Sequence, residues 1–414
     1  MNTESWISAE KFCPSDPLQN PDYARIFLEP EENNNSQSSP AMNPGVARAA
    51  AASVRGAEGL TGEREDLQAI CRRNGEWIMD QVRGSQSLIF SQAPYIVSAA
   101  SVAGSKEGEG PLAKLFDMVN EDDLFGAQTW EEAESNMQKE ACTLALGKAH
   151  VTAEKVRYLF GGDLLRQGIA TSMGVEALQI PMFGLYGACS TSGEALALAA
   201  MSTAAGYGEY MLAVTSSHFG SAEKEFRFPL GYASQRPLSA HWTVTGSGAF
   251  LEGTRKIHVR IAGVTVGKIV DYGLKDSQNM GACMAPAAMD TIVRNFHDME
   301  REPEDYDRIV TGDLGYVGQS ILLDLVKGKG YDIRKLHLDC GMTIFDQETQ
   351  DTHAGGSGCG CAAVTLASYI LPKIEKGEWK RVLFVPTGAL MSTVSYNEGA
   401  SVPGIAHGIV LEHC

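Results

Sequence analysis

The run YGACSTSGE, residues 186–194, places a cysteine among small residues directly before the apolar stretch ALALAA, residues 195–200. This pattern predicts a tight turn that leads into a buried helix, with Cys189 at the helix start. Helix starts carry unpaired N–H groups and a partial positive charge, which lower a thiol pKa and favour anions. Cys189 is therefore interpreted as a nucleophile, as part of an anion-binding site, or as an ordinary buried core cysteine.

The composition is that of a soluble globular protein, with 44% hydrophobic and 21% charged residues among 414. Because 51 acidic residues face 34 basic ones, for a net charge of −17, we expect no nucleic-acid partner. Nine cysteines without paired spacing predict no disulfide framework, and Cys359-Gly360-Cys361 is only a weak metal pattern. The sequence also shows no signal-peptide pattern and no apolar run long enough to span a membrane.

Residues 1–85 differ from the rest of the chain in composition. They contain a polar tract at 33–40 and an alanine run at 49–52, which predict a mobile N-terminal extension. Helix-forming residues from Glu63 to Val82 predict one surface helix within it.

From residue 86 onward, predicted strands alternate with predicted helices, which indicates an α/β layered fold. Residues 154–164 match residues 304–314 without a gap, and both segments end in Gly-Asp-Leu. Gly187–Ser190 and Gly358–Cys361 each precede a helix and then a strand, and the segments 248–252 and 408–412 also correspond. Three matches in the same order predict a duplication, with an N-terminal half at 86–257 and a C-terminal half at 258–414.

A duplicated α/β chain with a cysteine at the start of its first central helix resembles the thiolase fold. That resemblance implies a duplicated thiolase-like fold with a five-layered α-β-α-β-α core, and it puts Cys189 at the nucleophile position. Over residues 86–414 the chain resembles, more specifically, the stage V sporulation protein AD family. The motifs that carry this resemblance are GEGPL (108–112), GGDLL (161–165), FGLYGACSTS (183–192), TSSH (215–218), TGSGA (245–249), DSQNMG (276–281), MAPAA (284–288), TGDL (311–314) and HAGGSGC (353–359).

The family resemblance implies a non-enzymatic protein of the forespore and spore that binds dipicolinic acid, with calcium as part of the ligand complex. It implies a function in uptake of this ligand into the developing spore and in its release during germination. The protein would be a homodimer, peripheral at the inner spore membrane, and would act with other membrane proteins of the same sporulation operon. No other cofactor is expected, and the resemblance assigns no metal-binding residues.

An alternative is a cysteine-dependent acyltransferase or condensing enzyme that uses Cys189 with His353 or His407 as base. Where ketoacyl synthases have a loop with histidine, this chain has Thr311-Gly312-Asp313-Leu314. An ionised Asp313 near Cys189 disfavours the thiolate, which weakens the nucleophile. His353 lies in a run that resembles a thiolase histidine motif without its proline, so it is either a pocket residue or an exposed loop histidine.

A ligand with two carboxylates requires hydrogen-bond donors at both ends and an apolar slot between them. The helix start offers backbone N–H groups, and the loop after Ser216 combines cations with aromatic residues, although such a loop is also typical of a surface or dimer contact. Asp163 and Asp313 either face calcium or cap the helices that follow them. The predicted ligand-binding residues are Cys189, Ser190, His218, Arg227, Asp313, His353, Gly388 and His407.

Overall fold

The structure is a computed structural model that describes residues 81–165, 167–226 and 236–414. The predicted extension and its helix lie outside the described residues up to residue 80, and Val82, the last residue of that predicted helix, belongs to a strand. Arg227 also lies outside the described residues.

The described strands and helices alternate along the chain. The strands are β1 (Val82–Arg83), β2 (Ser87–Ile89), β3 (Tyr95–Ala103), β4 (Met118–Val119), β5 (Val156–Asp163), β6 (Met182–Gly184), β7 (Tyr210–Ser217), β8 (Trp242–Thr243), β9 (Gly246–Gly253), β10 (Val259–Thr265), β11 (Arg308–Thr311), β12 (His337–Asp339), β13 (Gly356–Ser357), β14 (Arg381–Val385), β15 (Thr387–Ala389), β16 (Gly404–Ala406) and β17 (Gly408–His413). The α-helices are α1 (Trp130–Ala149), α2 (Ile169–Val175), α3 (Thr191–Ala204), α4 (Phe219–Phe226), α5 (Met280–Met299), α6 (Gly315–Gly328), α7 (Cys340–Ile344), α8 (Cys359–Thr365), α9 (Leu371–Glu375) and α10 (Thr393–Asn397).

Local sequence explains where these elements begin and end. Helix α1 begins after Thr129, whose side chain accepts a hydrogen bond from the Glu132 N–H, and it ends at His150 in the left-handed conformation. A π-helical turn, Leu366–Ile370, joins α8 to α9. The sequence predicts strands at 95–102, 156–160 and 211–216 and a helix at 131–148; all four are confirmed, with boundaries that differ by at most three residues.

The main sheet contains the same five-strand arrangement twice. In the first repeat the strands lie side by side in the order β3-β9-β7-β5-β6, and in the second the order is β10-β17-β14-β11-β12. Numbered along the chain within each repeat, both orders are 1-5-4-2-3, with the first two pairings antiparallel and the last two parallel. The two repeats meet at β3 and β10, which pair through Tyr95 and Arg260.

Helices cover both sheets and fill the space between them. Helices α1 and α2 pack on the outer face of the first repeat, and α5 and α6 pack on the outer face of the second. Helices α3 and α8 lie between the repeats and contact strands β5, β7 and β9. All seven residues of α8 are buried, as a helix between two sheets requires. The result is the predicted five-layered α-β-α-β-α core; the division at residues 257 and 258 stays a prediction.

Glycine in the TGSGA run allows α8 to approach the sheet closely. A Cβ at Gly248 would lie 2.7 Å from the Cβ of Ala363, and a Cβ at Gly360 would lie 2.3 Å from the Gly246 carbonyl oxygen. Both distances are well below the sum of the van der Waals radii, so these positions require glycine. The close packing places Gly358, just before α8, beside the Cys189 turn.

Candidate functional site

The Cys189 turn is held by its own side chains. Ala188 has a φ of 52°, a left-handed conformation that is uncommon for a residue with a Cβ. The Ser190 hydroxyl donates to the Gly187 carbonyl oxygen at 2.7 Å, and the Thr191 hydroxyl donates to the Ala188 carbonyl oxygen at 2.7 Å. Helix α3 begins immediately afterwards, so the turn fixes Cys189 at the helix start as the sequence predicts.

Asp313 of the second repeat is the hydrogen-bond partner of the Cys189 thiol. The carboxylate of Asp313 is buried, and it also accepts from the Gly358 N–H at 2.9 Å and from the Thr387 hydroxyl at 2.8 Å. Burial raises the pKa of Asp313 to about 7, although these three donors act in the opposite direction. One carboxylate thus connects the cysteine turn of one repeat to two segments of the other.

The Cys189 thiol is held in its neutral form. Burial raises the pKa of Cys189 well above the ordinary value for cysteine, and the neighbouring Asp313 raises it further. The sequence-based expectation that the helix start would lower this pKa is wrong, because desolvation and a nearby carboxylate outweigh the helix dipole. The expected opposition between Asp313 and a thiolate is confirmed by their contact.

A small cavity opens beside Cys189. Its volume is about 30 Å³, roughly that of one water molecule. The described residues that line it are Leu164, Tyr186, Ala188, Cys189, Ala222, Glu223, Phe226, Ala240, His241, Thr243, Ser277, Gln278, Met280, Ser357, Ala389 and Met391. They include no lysine or arginine and one carboxylate, Glu223, so the positive charge expected for an anion site is missing from the described lining.

Sequence reasoning missed His241, the histidine that lines this cavity. Its Nε2 lies 3.1 Å from the Leu314 carbonyl oxygen, next to the strand that leads into TGSGA. No spacing or motif marks His241 as a site residue, since it reaches the cavity only because β8 pairs with β13 beside the Cys189 turn.

His218 lines a different cavity. Its Nδ1 accepts from the Gly220 N–H at 3.0 Å, so its Nε2 carries the proton and donates to the Asp123 carbonyl oxygen at 2.7 Å. Burial lowers the pKa of His218 and favours this neutral ring. The contacts hold the start of α4, and the structure does not bring His218 into the Cys189 cavity.

The two proposed catalytic bases also lie outside the described cavity lining. His353 lies on a loop, with Nδ1 at 2.9 Å from the Pro237 carbonyl oxygen and Nε2 at 3.1 Å from Asp351. His407 is buried, its Nδ1 accepts from the Gly267 N–H at 3.2 Å, and burial lowers its pKa to about 4. The structure therefore places neither histidine in the described lining of the cavity beside Cys189.

Gly388 packs directly on the Cys189 turn. A Cβ at Gly388 would lie 2.3 Å from the Gly187 carbonyl oxygen and 2.9 Å from the Ser190 nitrogen. Strand β15 therefore touches the turn at this position, and Gly388 is required for that contact rather than lining the described cavity.

The paired aspartates of the repeated Gly-Asp-Leu motif have different partners. Asp163 accepts from the Leu165 N–H at 3.0 Å and from the N–H and hydroxyl of Thr171 in α2, which is the predicted helix-capping function. Asp313 does not cap α6. Asp339 accepts from the first N–H groups there instead, those of Leu314 and Gly315. Within the described residues, no group of three or more His, Cys, Asp or Glu side chains is arranged to hold a metal ion.

Comparison with known proteins adds a family and a fold. The model of the family described as Stage V sporulation protein AD matches residues 84–412. The chain is 40% identical to Stage V sporulation protein AD of Bacillus subtilis (strain 168) over 332 residues, 80% of this chain and 98% of that protein. Among solved structures, it is similar to two variants of OleA from Xanthomonas campestris. Their TM-scores are 0.51 and 0.50 and their identities 15% and 14%, and each alignment covers 78% of this chain and 99% of that chain. At such identities the likeness shows the thiolase-like fold alone.

Proposed function

The chain belongs to the stage V sporulation protein AD family, and from this membership we propose that it binds dipicolinic acid without converting it. The family places the protein in sporulation. The proposal of binding without turnover rests on one observation, which is that the thiol at the nucleophile position has a buried carboxylate as its hydrogen-bond partner. Acyl transfer by cysteine requires a thiolate and a base that accepts and returns protons. Asp313 opposes the first requirement, because it raises the pKa of the thiol, and neither His353 nor His407 lines the described cavity to supply the second.

Charge around the cavity favours a ligand that arrives with calcium. Glu223 lines the cavity and Asp313 lies behind Cys189, so a free dicarboxylate would bring like charge toward these groups. Calcium bound to both carboxylates of dipicolinate neutralises the ligand, and its remaining coordination positions accept protein oxygens. A cavity of about 30 Å³ is too small for either form, so binding requires the lining residues to move apart.

We also propose that the protein acts at the inner spore membrane through other membrane proteins of its operon, in ligand uptake and in release during germination. None of the described helices has the length and apolar character to cross a bilayer. The net charge of −17 disfavours direct attraction to anionic lipid, so docking on protein partners is the better-supported means of attachment.

The proposed homodimer has support at one edge of the sheet. Strand β6 ends the sheet of the first repeat, and Phe183 on it is 52% exposed. Met182 on the same strand and Tyr186, two residues beyond its end, are also exposed. An edge strand with exposed apolar side chains is typical of a surface that pairs with a second copy.

Isothermal titration calorimetry of the full chain with dipicolinate, with and without calcium, tests the binding proposal. We expect saturable heat with calcium and a weaker response without it. Ser277→Trp, at the half-buried rim of the Cys189 cavity, should abolish the heat, whereas Ser172→Trp on the exposed face of α2 should not. Absence of heat in the unmodified protein under both conditions would overturn the proposal.

Intact-mass measurement after incubation with acyl-CoA tests the enzymatic alternative. We expect no adduct. An acyl adduct that disappears in Cys189→Ala but persists in Cys142→Ala, another fully buried cysteine, would establish a cysteine acyltransferase instead.

A further inference from the structure

A second and larger cavity, which we call the Trp242 cavity, lies on the other side of α4. Its volume is about 370 Å³. The described residues that line it are Lys106, Glu107, Asp123, Trp130, His218, Phe219, Gly220, Glu223, Trp242 and Thr245. Only Glu223 of these also lines the Cys189 cavity, so the two cavities share one wall.

Glu107 brings a buried oxygen without a partner to this cavity. The residue is 1% exposed, and its Oε1 accepts from the Thr245 N–H at 3.1 Å. Its Oε2 is also buried and has no hydrogen-bond partner. Leaving a buried polar atom unsatisfied destabilises the protein, so a ligand that donates a hydrogen bond to it removes that cost.

The aromatic wall of the cavity attracts positive charge. Phe219 and Trp242 stack with ring centroids 4.0 Å apart. Lys106 Nζ lies 4.2 Å from the Trp242 centroid, and the Arg236 guanidinium lies 4.8 Å from it. Two cations of the protein therefore already use this indole, as expected from the negative potential of an aromatic face.

Acidic groups outnumber basic ones in the described lining of this cavity. Three carboxyl groups, those of Glu107, Asp123 and Glu223, accompany the single ammonium group of Lys106, whose Nζ donates to the Gln350 carbonyl oxygen at 2.7 Å. An anionic ligand would meet the Asp123 carboxylate, whereas a cation pairs with that carboxylate and can displace the proton of Glu107.

We propose that the Trp242 cavity binds a small organic ammonium ion with an apolar body. A turn of the Glu107 side chain brings its Oε2, which is buried in the cavity wall, to the ammonium group, and the apolar body packs against Phe219 and the exposed Trp130. The Trp242 cavity differs from the Cys189 cavity, proposed for dipicolinate, in the charge and the identity of its lining residues. The proposal for the Trp242 cavity does not depend on dipicolinate binding.

Binding is linked to a proton. Burial raises the pKa of Glu107 to about 8; Asp123 raises it too, and Lys106 lowers it. Of the other titratable groups in the lining, His218 is neutral and Glu223 is a buried acid. The empty cavity therefore holds a protonated Glu107 at pH 7, and an ammonium ligand displaces this proton. Affinity for the ligand should rise between pH 6 and pH 8.

Tryptophan fluorescence of the full chain, titrated with benzylammonium and with benzoate as the charge-reversed control, tests the proposal. We expect benzylammonium to bind at least about tenfold more tightly, because it alone pairs with the Glu107 carboxylate. Glu107→Gln should remove this preference and the pH dependence, while Glu109→Gln, an exposed neighbour in the same turn, should change neither.

Trp130→Ala is a second variant, at an exposed position, and it should weaken benzylammonium binding without changing the preference over benzoate. Equal or tighter binding of benzoate, an unchanged preference in Glu107→Gln, or no fluorescence response to either compound would each overturn the proposal. Dipicolinate calorimetry on the same variants should stay unchanged, which separates this site from the proposed function.

Discussion

The two copies of Gly-Asp-Leu occupy the same place in their repeats, at the end of the second strand, and yet their aspartates have different partners. Asp163 bonds to Leu165 and Thr171, within its own repeat. Asp313 bonds to Gly358 and Thr387 and crosses to Cys189 of the other repeat.

The reason for this difference lies in the third strand of each repeat. In the second repeat β12 ends at Asp339, which satisfies the N–H groups of Leu314 and Gly315 at the start of α6. In the first repeat β6 ends at Gly184, which has no side chain to do this. Asp163 must therefore bond within its own repeat, while Asp313 is released to become part of the site.

The largest expected effect is a loss of stability in Asp163→Ala. This change leaves three buried donors without an acceptor, and we expect a loss of roughly 3 kcal/mol or more in the free energy of unfolding. Urea denaturation followed by circular dichroism measures it. A loss below about 1 kcal/mol would contradict the structural function assigned to Asp163.

The next effect concerns the contact of β15 with the Cys189 turn. Gly388→Ala forces its Cβ against the Gly187 carbonyl oxygen, so we expect a loss of about 1 to 3 kcal/mol and altered reactivity of Cys189. Gly147→Ala in α1, where no atom lies within 4 Å of the added Cβ, is the control and should stabilise by about 0.5 to 1 kcal/mol. Equal thermal stability of the two variants would show that β15 does not touch the turn.

The pH dependence of stability distinguishes Asp313 from a neutral residue. Its pKa is about 7 in the folded protein against an ordinary 3.8, so folding favours its protonated form. The stabilisation is complete below about pH 4 and is lost as pH rises through about 7, by at most about 1.4 kcal/mol per pH unit.

The Asp313→Asn variant has no carboxyl group to ionise at this position, so it avoids the pH-dependent loss. The difference in the free energy of unfolding, variant minus unmodified protein, should therefore become more favourable to the variant between pH 5 and pH 7. Urea unfolding of both proteins at these two pH values measures the difference, in which contributions from other buried acids cancel. Parallel pH profiles would mean that Asp313 titrates normally.

The smallest effect is on the thiol itself. Asp313→Asn removes a carboxylate beside Cys189, which lowers the pKa of the thiol and should raise its alkylation rate by iodoacetamide several-fold at pH 8. Asp163→Asn should leave that rate unchanged, since Asp163 does not contact Cys189. Peptide mass spectrometry measures the alkylation of this cysteine. An equal increase in both variants would remove the distinction between the two aspartates.

Sequence reasoning predicted the fold and the turn at the centre of the candidate site because both depend on local pattern. The Cys189 turn requires small residues and a following apolar helix, and its neighbours Ser190 and Thr191 are adjacent in the chain. Asp313 was found because the motif that contains it repeats at a fixed offset.

The remaining lining residues come from segments that meet only through tertiary packing. His241 and Met391 carry no motif, and they reach the cavity through pairing of short strands and the position of β15. His353 and His407 were selected for their chemistry, but Nδ1 of each ring bonds to the backbone of another segment, at Pro237 and at Gly267. The raised pKa of the thiol depends on burial, which no local pattern reports.

The contact between Cys189 and Asp313 joins two repeats of a single polypeptide, and this has an evolutionary consequence. In a homodimer of single repeats, both aspartates would be encoded by the same codon, so one mutation would alter both. The same residue would then have to cap the following helix and also contact the cysteine. Fusion within one gene allows each copy to diverge alone. Specialisation of Asp313 therefore belongs to the history after the duplication, and relatives that keep both aspartates but lack an acid at position 339 should retain the older arrangement.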